Sequence, residues 1–183
     1  MFKGSIVAIV TPFKDSKVDE TALRNLVNWH IEEGTHGIVP VGTTGESPTL
    51  DHNEHREVVE IVIDQVNNRV PVIAGAGSNS TSEAISLLMH AESVGADAAL
   101  IVTPYYNKPT QEGLYEHFKA INNASMGIPI MIYNIPPRSI VDMSIEVMAK
   151  LSNLENIIGV KDATSDLSRV KKQHDQCKSG FLQ

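Results

Sequence analysis

A lysine closes an otherwise apolar run late in the chain, in Gly159-Val160-Lys161-Asp162. An amine at the end of a buried strand loses part of its hydration, which lowers its pKa. The neutral form of such an amine can attack a keto group and form a Schiff base. The alternative is a lysine whose ammonium group reaches solvent at the strand end, which is the commoner arrangement for a single lysine.

Three phenols and a guanidinium follow two other apolar runs. Tyr133 ends one run and Arg138 comes after the Pro-Pro that follows it, while Tyr105 and Tyr106 follow another. A phenol at the level of Lys161 can carry protons to and from a lysine-bound substrate, and an arginine suits a carboxylate. Core packing is the alternative for each aromatic residue, but these groups, together with Thr43-Thr44 after the second apolar run, occupy four strand ends and favour a site.

A glycine- and threonine-rich segment follows the second apolar run and reads Gly42-Thr43-Thr44-Gly45-Glu46-Ser47. Its glycines allow tight turns, and its hydroxyls and backbone amides form a suitable cradle for a carboxylate. It is not a phosphate-binding P-loop, because no Gly-Lys-Ser/Thr follows at the required spacing. An ordinary Gly/Thr turn is equally compatible with the pattern.

Three other signals are weaker. The segment from Gly75 begins like a dinucleotide-binding fingerprint, but Ser80 replaces its third glycine. His52 and His55 can share one face of a helix, yet no third ligand is near in sequence, so a solvated or ligand-binding helix start is favoured over a metal site. Cys177 is interpreted as a bystander in a polar helix.

The elements that must position these residues alternate between strands and helices. The predicted strands are short continuous apolar runs, as in parallel sheets buried on both faces: Ser5–Val10, Gly37–Val41, Pro71–Ala74, Ala98–Thr103, Pro129–Tyr133 and Ile157–Lys161. The predicted helices have polar start signals and cover Leu23–Ile31, Glu54–Val66, Ala84–Val94, Tyr115–Ile121, Ile145–Leu151 and a last one opened by Ser165-Asp166.

Six such units predict an α/β protein with a parallel sheet, either an open doubly wound sheet or a (β/α)8 TIM barrel. The regular spacing of about 30 residues favours the barrel, although a full barrel needs about 250 residues. Residues 180–183 resemble the start of a seventh strand. We therefore expect residues 1–183 to form one barrel domain truncated after about six βα units, without the C-terminal barrel units and helical region.

Composition excludes several classes of protein. The 183 residues carry a net charge of -7, which disfavours nucleic acid and anionic membrane surfaces as partners. A single cysteine excludes an internal disulfide framework. No apolar run approaches the roughly 20 residues of a membrane span, and the N-terminus does not resemble a signal peptide. The expected location is the cytoplasm.

The chain resembles the dihydrodipicolinate synthase family, within the superfamily of pyruvate-dependent Schiff-base aldolases. The resemblance covers the whole sequence and depends on four segments: Val41–Ser47, Thr103–Asn107, Tyr133–Arg138 and Gly159–Ala163. It implies a lyase of lysine and diaminopimelate biosynthesis that condenses pyruvate with L-aspartate-4-semialdehyde to give 4-hydroxy-tetrahydrodipicolinate. It also implies that no metal or organic cofactor is needed.

The resemblance assigns roles to residues at matching positions. Lys161 forms the Schiff base, Tyr133 transfers protons, and Thr43 and Tyr106 complete a relay. In the family, the residue matching Tyr106 crosses from a neighbouring subunit of a homotetramer, a dimer of dimers. The implied substrate-binding residues are Thr44, Gly42 and Gly45 for the pyruvate carboxylate and Arg138 for the semialdehyde carboxylate.

The resemblance further implies feedback inhibition by L-lysine at an allosteric site. The matching positions are Ser47, Pro48, His52, His55, Asn79, Glu83 and Tyr105. Two alternatives stay open: a related aldolase acting on sialic acid or a keto-deoxy sugar acid, and an inactive or lysine-binding fragment. The Thr43-Thr44 pair and Arg138 favour the synthase over the related aldolases.

Overall fold

The computed structural model describes residues 2–183. Two compact units are present. One contains the chain up to Gly75 together with His90–Ala98, and the other contains Ala76–Met89 and Ala99–Gln183.

Strands and helices alternate along most of the chain. The strands are β1 Ile6–Ala8, β2 Phe13–Lys14, β3 Lys17–Val18, β4 Gly37–Val39, β5 Ile73–Gly75, β6 Ala98–Val102, β7 Ile130–Asn134 and β8 Ile157–Asp162. The helices are α1 Glu20–Glu32, α2 His52–Val66, α3 Thr81–Ser93, α4 Gln111–Ala124, α5 Pro136–Ser139, α6 Ile145–Ser152 and α7 Ser168–Gln176, with a 3₁₀ helix at Ser47–Thr49.

In the first unit, β1 pairs in parallel with β4, and Ile38 of β4 forms a parallel bridge with Val72, just before β5. Helix α1 packs on α2. Helix α2 begins with a capping box, in which Asp51 accepts hydrogen bonds from the first-turn amides and Glu54 accepts one from the Asp51 amide. Such a cap satisfies amides that have no partner inside the helix, which fixes where α2 begins.

In the second unit, β6, β7 and β8 lie side by side in parallel. The central strand β7 carries Ile130 and Ile132, both fully buried, as expected for a strand between two parallel neighbours. Helix α6 packs against α4, α7 and β8. The parallel α/β class predicted from the sequence is confirmed.

Each of the six predicted strands overlaps an observed strand. Residues 180–183 also agree with the expected strand start, because Leu182 bridges Gly159 in parallel and its backbone exchanges hydrogen bonds of 2.9 Å with Ile158 and Val160. Strands β7 and β8 each extend one residue beyond the predicted end, to Asn134 and Asp162.

Several local predictions are corrected. The last helix begins at Ser168 and not at Ser165-Asp166, because Ser165 has a left-handed φ of 65° and Asp166 instead accepts a hydrogen bond from the Ser168 amide at 2.9 Å. Cys177 lies just after α7 rather than within it. The sequence interpretation also missed the β2–β3 hairpin, whose turn residues have positive φ, and the short helix α5.

Candidate active site

Lys161 and Tyr133 lie next to each other on the paired strands β7 and β8. Their register makes them direct cross-strand partners, which places both side chains on the same face of the sheet. Tyr133 is buried, and the Lys161 Nζ lies 4.4 Å from the centroid of its ring. The structure therefore brings together the amine and the phenol that the sequence singled out.

Partial burial of the amine lowers the pKa of Lys161 from its ordinary value, although the residue as a whole keeps access to solvent. A lower pKa increases the fraction of neutral amine near neutrality, and only this form is a nucleophile. Access to solvent leaves a path for a small substrate. The arrangement can support attack by Lys161 on a carbonyl carbon.

Two other residues of the predicted catalytic and substrate-binding set in this unit, Tyr106 and Arg138, are exposed to solvent. Tyr106 is 89% exposed and has a left-handed φ of 70°. Arg138 is exposed in the last turn of α5. Both side chains are thus presented to solvent.

The predicted carboxylate cradle lies in the first unit and forms a tight turn. The amides of Gly45 and Ser47 donate to the Gly42 carbonyl at 3.1 and 3.3 Å, so they are engaged within the turn. Thr43 and Thr44 are exposed. A cradle for an anion would therefore depend on the threonine pair and not on the later amides.

Close backbone packing explains the glycines that resemble a dinucleotide fingerprint. A Cβ at Gly75 would collide with the Val41 carbonyl oxygen, and one at Gly77 would collide with the Val102 backbone nitrogen. Glycine is needed at these positions because backbone approaches backbone. The motif thus has a structural cause that involves no nucleotide.

The residues of the predicted lysine site fall in both units. In the first unit, Ser47 and Pro48 open the 3₁₀ helix and His52 is exposed at the start of α2. His55 is buried, and desolvation, helped by the charge of His90, lowers the pKa of its imidazole to about 4. His52 and His55 therefore do not form one solvated face, contrary to the sequence interpretation.

In the second unit, the remaining residues of the predicted lysine site are linked by hydrogen bonds. Glu83 accepts a hydrogen bond from Ser78. The Asn79 amide donates to the Tyr105 carbonyl at 3.2 Å, and Asn107 donates to the Asn79 carbonyl at 3.1 Å. These bonds hold the segment after β5 against the segment after β6.

One polar cluster next to the Lys161–Tyr133 pair was missed. Arg169 of α7 is buried and its guanidinium donates to Asp162 at 2.8 Å. It also donates to the Met143 carbonyl at 2.8 Å and lies 3.4 Å from Asp142, which accepts a hydrogen bond from Asn134 at 2.9 Å. Only the position of Asp162, directly after Lys161, could have drawn attention to this cluster.

Within residues 2–183, no set of three or more His, Cys, Asp or Glu side chains is arranged to hold a metal ion. In the same part of the chain, no helix is both long and apolar enough to cross a membrane.

Comparison with known proteins was made for both sequence and structure. A model of the dihydrodipicolinate synthetase family matches residues 1–183. The 4-hydroxy-tetrahydrodipicolinate synthase of Rhodopseudomonas palustris is 64% identical over 182 residues, which is 100% of this chain and 61% of that protein. The chain thus spans less than two thirds of the length of this relative.

Two solved structures with bound molecules are similar. The dihydrodipicolinate synthase of Acinetobacter baumannii, complexed with pyruvate, is 52% identical with a TM-score of 0.96, over 100% of this chain and 63% of that chain. The synthase of Cyanidioschyzon merolae with lysine bound is 39% identical with a TM-score of 0.93, over 98% of this chain and 62% of that chain. The α/β fold matches the N-terminal part of these TIM-barrel enzymes. The chain belongs to the dihydrodipicolinate synthetase family.

Proposed function

We propose that this chain carries the chemistry of a 4-hydroxy-tetrahydrodipicolinate synthase, condensing pyruvate with L-aspartate-4-semialdehyde through a Schiff base on Lys161. The observation that carries the proposal is the Lys161 amine, 4.4 Å from the ring of Tyr133 at the ends of two paired strands. Family membership and the pyruvate complex of the Acinetobacter relative support the choice of the first substrate.

In the first step, the neutral amine of Lys161 attacks the keto carbon of pyruvate. The carbonyl oxygen takes up protons and leaves as water, and a C=N bond forms in its place. The resulting iminium has a positive nitrogen that accepts the electron pair of a neighbouring C–H bond. The lowered pKa of Lys161 favours this step, because it increases the fraction of free amine at a given pH.

In the second step, a proton leaves the methyl carbon of the bound pyruvate and an enamine forms. The enamine carbon then attacks the semialdehyde carbonyl carbon, making the new C–C bond; the carbonyl oxygen takes the π electrons and a proton to become a hydroxyl, and the Lys161 nitrogen returns to the iminium. The amine of the joined product closes the ring and displaces Lys161, which restores the enzyme. Tyr133 is the proton donor and acceptor, and Thr43 and Tyr106 pass the proton onward.

Binding roles complete the proposal. Thr44, on the turn that Gly42 and Gly45 shape, holds the pyruvate carboxylate, and Arg138 binds the carboxylate of the semialdehyde. Every bond in the reaction as written is made or broken by the two substrates and by groups of this chain. The proposal therefore includes no metal or organic cofactor.

Two wider proposals follow from the family. The first is that a homo-oligomer is the active form, with Tyr106 entering the site of a neighbouring subunit. The second is that L-lysine inhibits by binding at the predicted allosteric residues, which the lysine bound to the Cyanidioschyzon relative supports. The cytoplasmic location stays a prediction.

The proposed nucleophile is tested by incubating the chain with pyruvate, reducing with borohydride and mapping adducts by peptide mass spectrometry. We expect one major adduct, on Lys161, that disappears in Lys161→Met. The control variant Lys171→Met removes a largely exposed lysine of α7 and should keep the adduct. A folded wild-type chain without an adduct on Lys161, or with equal adducts on many lysines, would contradict the proposal.

A further inference from the structure

The strand ends that carry Tyr133 and Lys161 are tied together on their opposite face. We call Asn134, Asp142, Asp162 and Arg169 the outer-face network. Arg169 connects to Asp162 at 2.8 Å and to Asp142 at 3.4 Å, and Asn134 donates to Asp142 at 2.9 Å. The network therefore joins β7, β8, α7 and the segment before α6.

Alternation along the strands places this network behind the candidate active site. Neighbouring residues of a strand point to opposite faces, so Asn134 and Asp162 face away from the side occupied by Tyr133 and Lys161. Asn134 and Asp162 are themselves register partners. Each member of the candidate catalytic pair is thus followed by a residue that anchors its strand from behind.

The outer-face network is largely buried, so solvent screens its charges less than it screens charges on the surface. Asn134 is fully buried and Arg169 is 8% exposed. Burial acts to raise the pKa of Asp162, but hydrogen bonds from Arg169 and Thr164 outweigh it and hold that pKa below its ordinary value. Asp162 is therefore an anion at neutral pH, one residue away from the amine of Lys161.

An unpaired anion at this position would stabilise the ammonium form of Lys161 and so suppress the nucleophile. The guanidinium of Arg169 places a positive charge directly against this carboxylate. Gln173 of α7 also donates to Asp162 and adds no charge. Arg169 thus offsets the charge of Asp162, although it also lies 3.4 Å from the Asp142 carboxylate.

We propose that Asp162 and Arg169 are positioning residues for Lys161: their ion pair holds the end of β8 in register with β7 and shields the amine from the Asp162 carboxylate. This inference rests on the proposed role of Lys161 as the nucleophile. Tyr133 of β7 faces the amine, and the ion pair is faced by Asp142 from the segment before α6 and by Asp166 from the segment before α7.

The test measures the reactivity of Lys161 directly, without a substrate. The chain is labelled with trace acetic anhydride between pH 6 and pH 11, and the labelling rate of Lys161 is followed by peptide mass spectrometry. Lys150, exposed near the end of α6, reports the amount of reagent. The midpoint of the pH profile gives the titration of the Lys161 amine in each variant.

Two single variants should shift this midpoint in opposite directions. Arg169→Met removes the cation and leaves the carboxylates, so the midpoint rises. Asp162→Asn removes the anion and leaves the cation, so the midpoint falls. We expect each shift to be about half a pH unit, or about a threefold change in labelling rate well below the midpoint. The double variant should return close to the wild-type midpoint.

A purely structural role would give a different result. Loosening of β8 would move the labelling midpoints of both single variants in the same direction. The midpoint of the double variant would then be no closer to that of wild type. Either outcome overturns the inference, and so do unmoved midpoints in folded variants. Lys171→Met removes a cation from the same helix outside the network and serves as the control. If Arg169→Met does not fold, the nearly isosteric Asp162→Asn still tests the inference. A fall in its Lys161 labelling midpoint supports the inference, and a rise contradicts it.

The result is separable from that of the proposed function. Labelling reports the Lys161 amine whether or not the chain forms a pyruvate adduct. Opposite shifts without an adduct would support the outer-face network and count against the synthase chemistry of this chain. An adduct on Lys161 with unmoved midpoints would support the synthase chemistry and count against the outer-face network.

Discussion

At the scale of single residues, the properties of Lys161 come from its neighbours. The Tyr133 ring provides a surface that attracts a cation, while partial burial acts against the charged form and lowers the pKa of the amine. A lysine held between these two influences can change protonation state as a substrate approaches. This property is what a Schiff-base nucleophile requires, because its amine must be neutral to attack and protonated to leave.

The role of the Tyr133 hydroxyl can be separated from that of its ring. Tyr133→Phe keeps the ring beside Lys161 and removes the hydroxyl that we propose transfers protons. We expect the borohydride-trapped adduct to persist, while exchange of the pyruvate methyl protons with deuterated water slows by about 100-fold or more. Nuclear magnetic resonance measures this exchange directly.

The matched control is Tyr115→Phe. Tyr115 lies on α4 with the Lys119 Nζ at 5.5 Å from its ring centroid, so it reproduces the lysine–phenol pair away from the site. Its variant should exchange at the wild-type rate. Equal exchange by Tyr133→Phe and wild type would remove Tyr133 from the proton-transfer role.

At the scale of elements, the sequence predicts what periodicity and local chemistry determine. Continuous apolar runs such as Pro129–Tyr133 predict parallel strands, since both faces of such a strand are buried. Asp51 followed by Glu54 predicts the start of α2, because the capping box is a local interaction. These signals need no knowledge of which element packs on which.

The supporting contacts of the site are not specified by hydrophobic periodicity. The Asp162–Arg169 ion pair forms only because α7 returns across the end of β8, and nothing in the spacing of those residues specifies that return. The carboxylate cradle stays a prediction, and the structure adds that the amide of Gly45 donates within its own loop, to the Gly42 carbonyl. The sequence thus predicts the Lys161–Tyr133 pair more reliably than its supporting contacts.

The packing of backbone on backbone at β5 gives a prediction about stability. Gly75→Ala would place a methyl group against the Val41 carbonyl, and we expect a loss of about 1–3 kcal/mol in the free energy of unfolding. Urea denaturation measures this loss. Gly42→Ala is the control, because a Cβ there has an ordinary contact of 3.7 Å with Val39 and should change stability little.

A nucleotide-binding role for the Gly75 segment predicts a different pattern. In that case Gly75→Ala would leave the urea midpoint unchanged and would weaken the binding of a dinucleotide such as NAD. Calorimetric titration with NAD tests that alternative. If Gly75→Ala unfolds at the same urea concentration as the wild-type chain, the packing explanation is contradicted.

At the scale of the whole molecule, Tyr106 is the residue that a single chain explains least. A large aromatic side chain, 89% exposed, stands on a backbone with φ of 70°, a conformation that costs free energy for a residue with a Cβ. Phenol rings are favoured at protein interfaces, where the ring is buried and the hydroxyl is bonded. Entry into a neighbouring subunit would account both for the exposed Tyr106 side chain and for its left-handed backbone conformation.

Mixing two inactive variants tests whether Tyr106 acts across subunits. Tyr106→Phe keeps Tyr133 and lacks the crossing phenol, whereas Tyr133→Phe has the opposite defect. In a mixed two-fold dimer, one of the two sites receives both tyrosines, so random mixing should restore about a quarter of the wild-type sites. Methyl-proton exchange of pyruvate measures the recovery. Sedimentation velocity measures whether the chains associate. Because a phenol that acts within its own chain cannot be supplied by a partner, associated mixtures that stay as slow as the separate variants would show that Tyr106 does not cross.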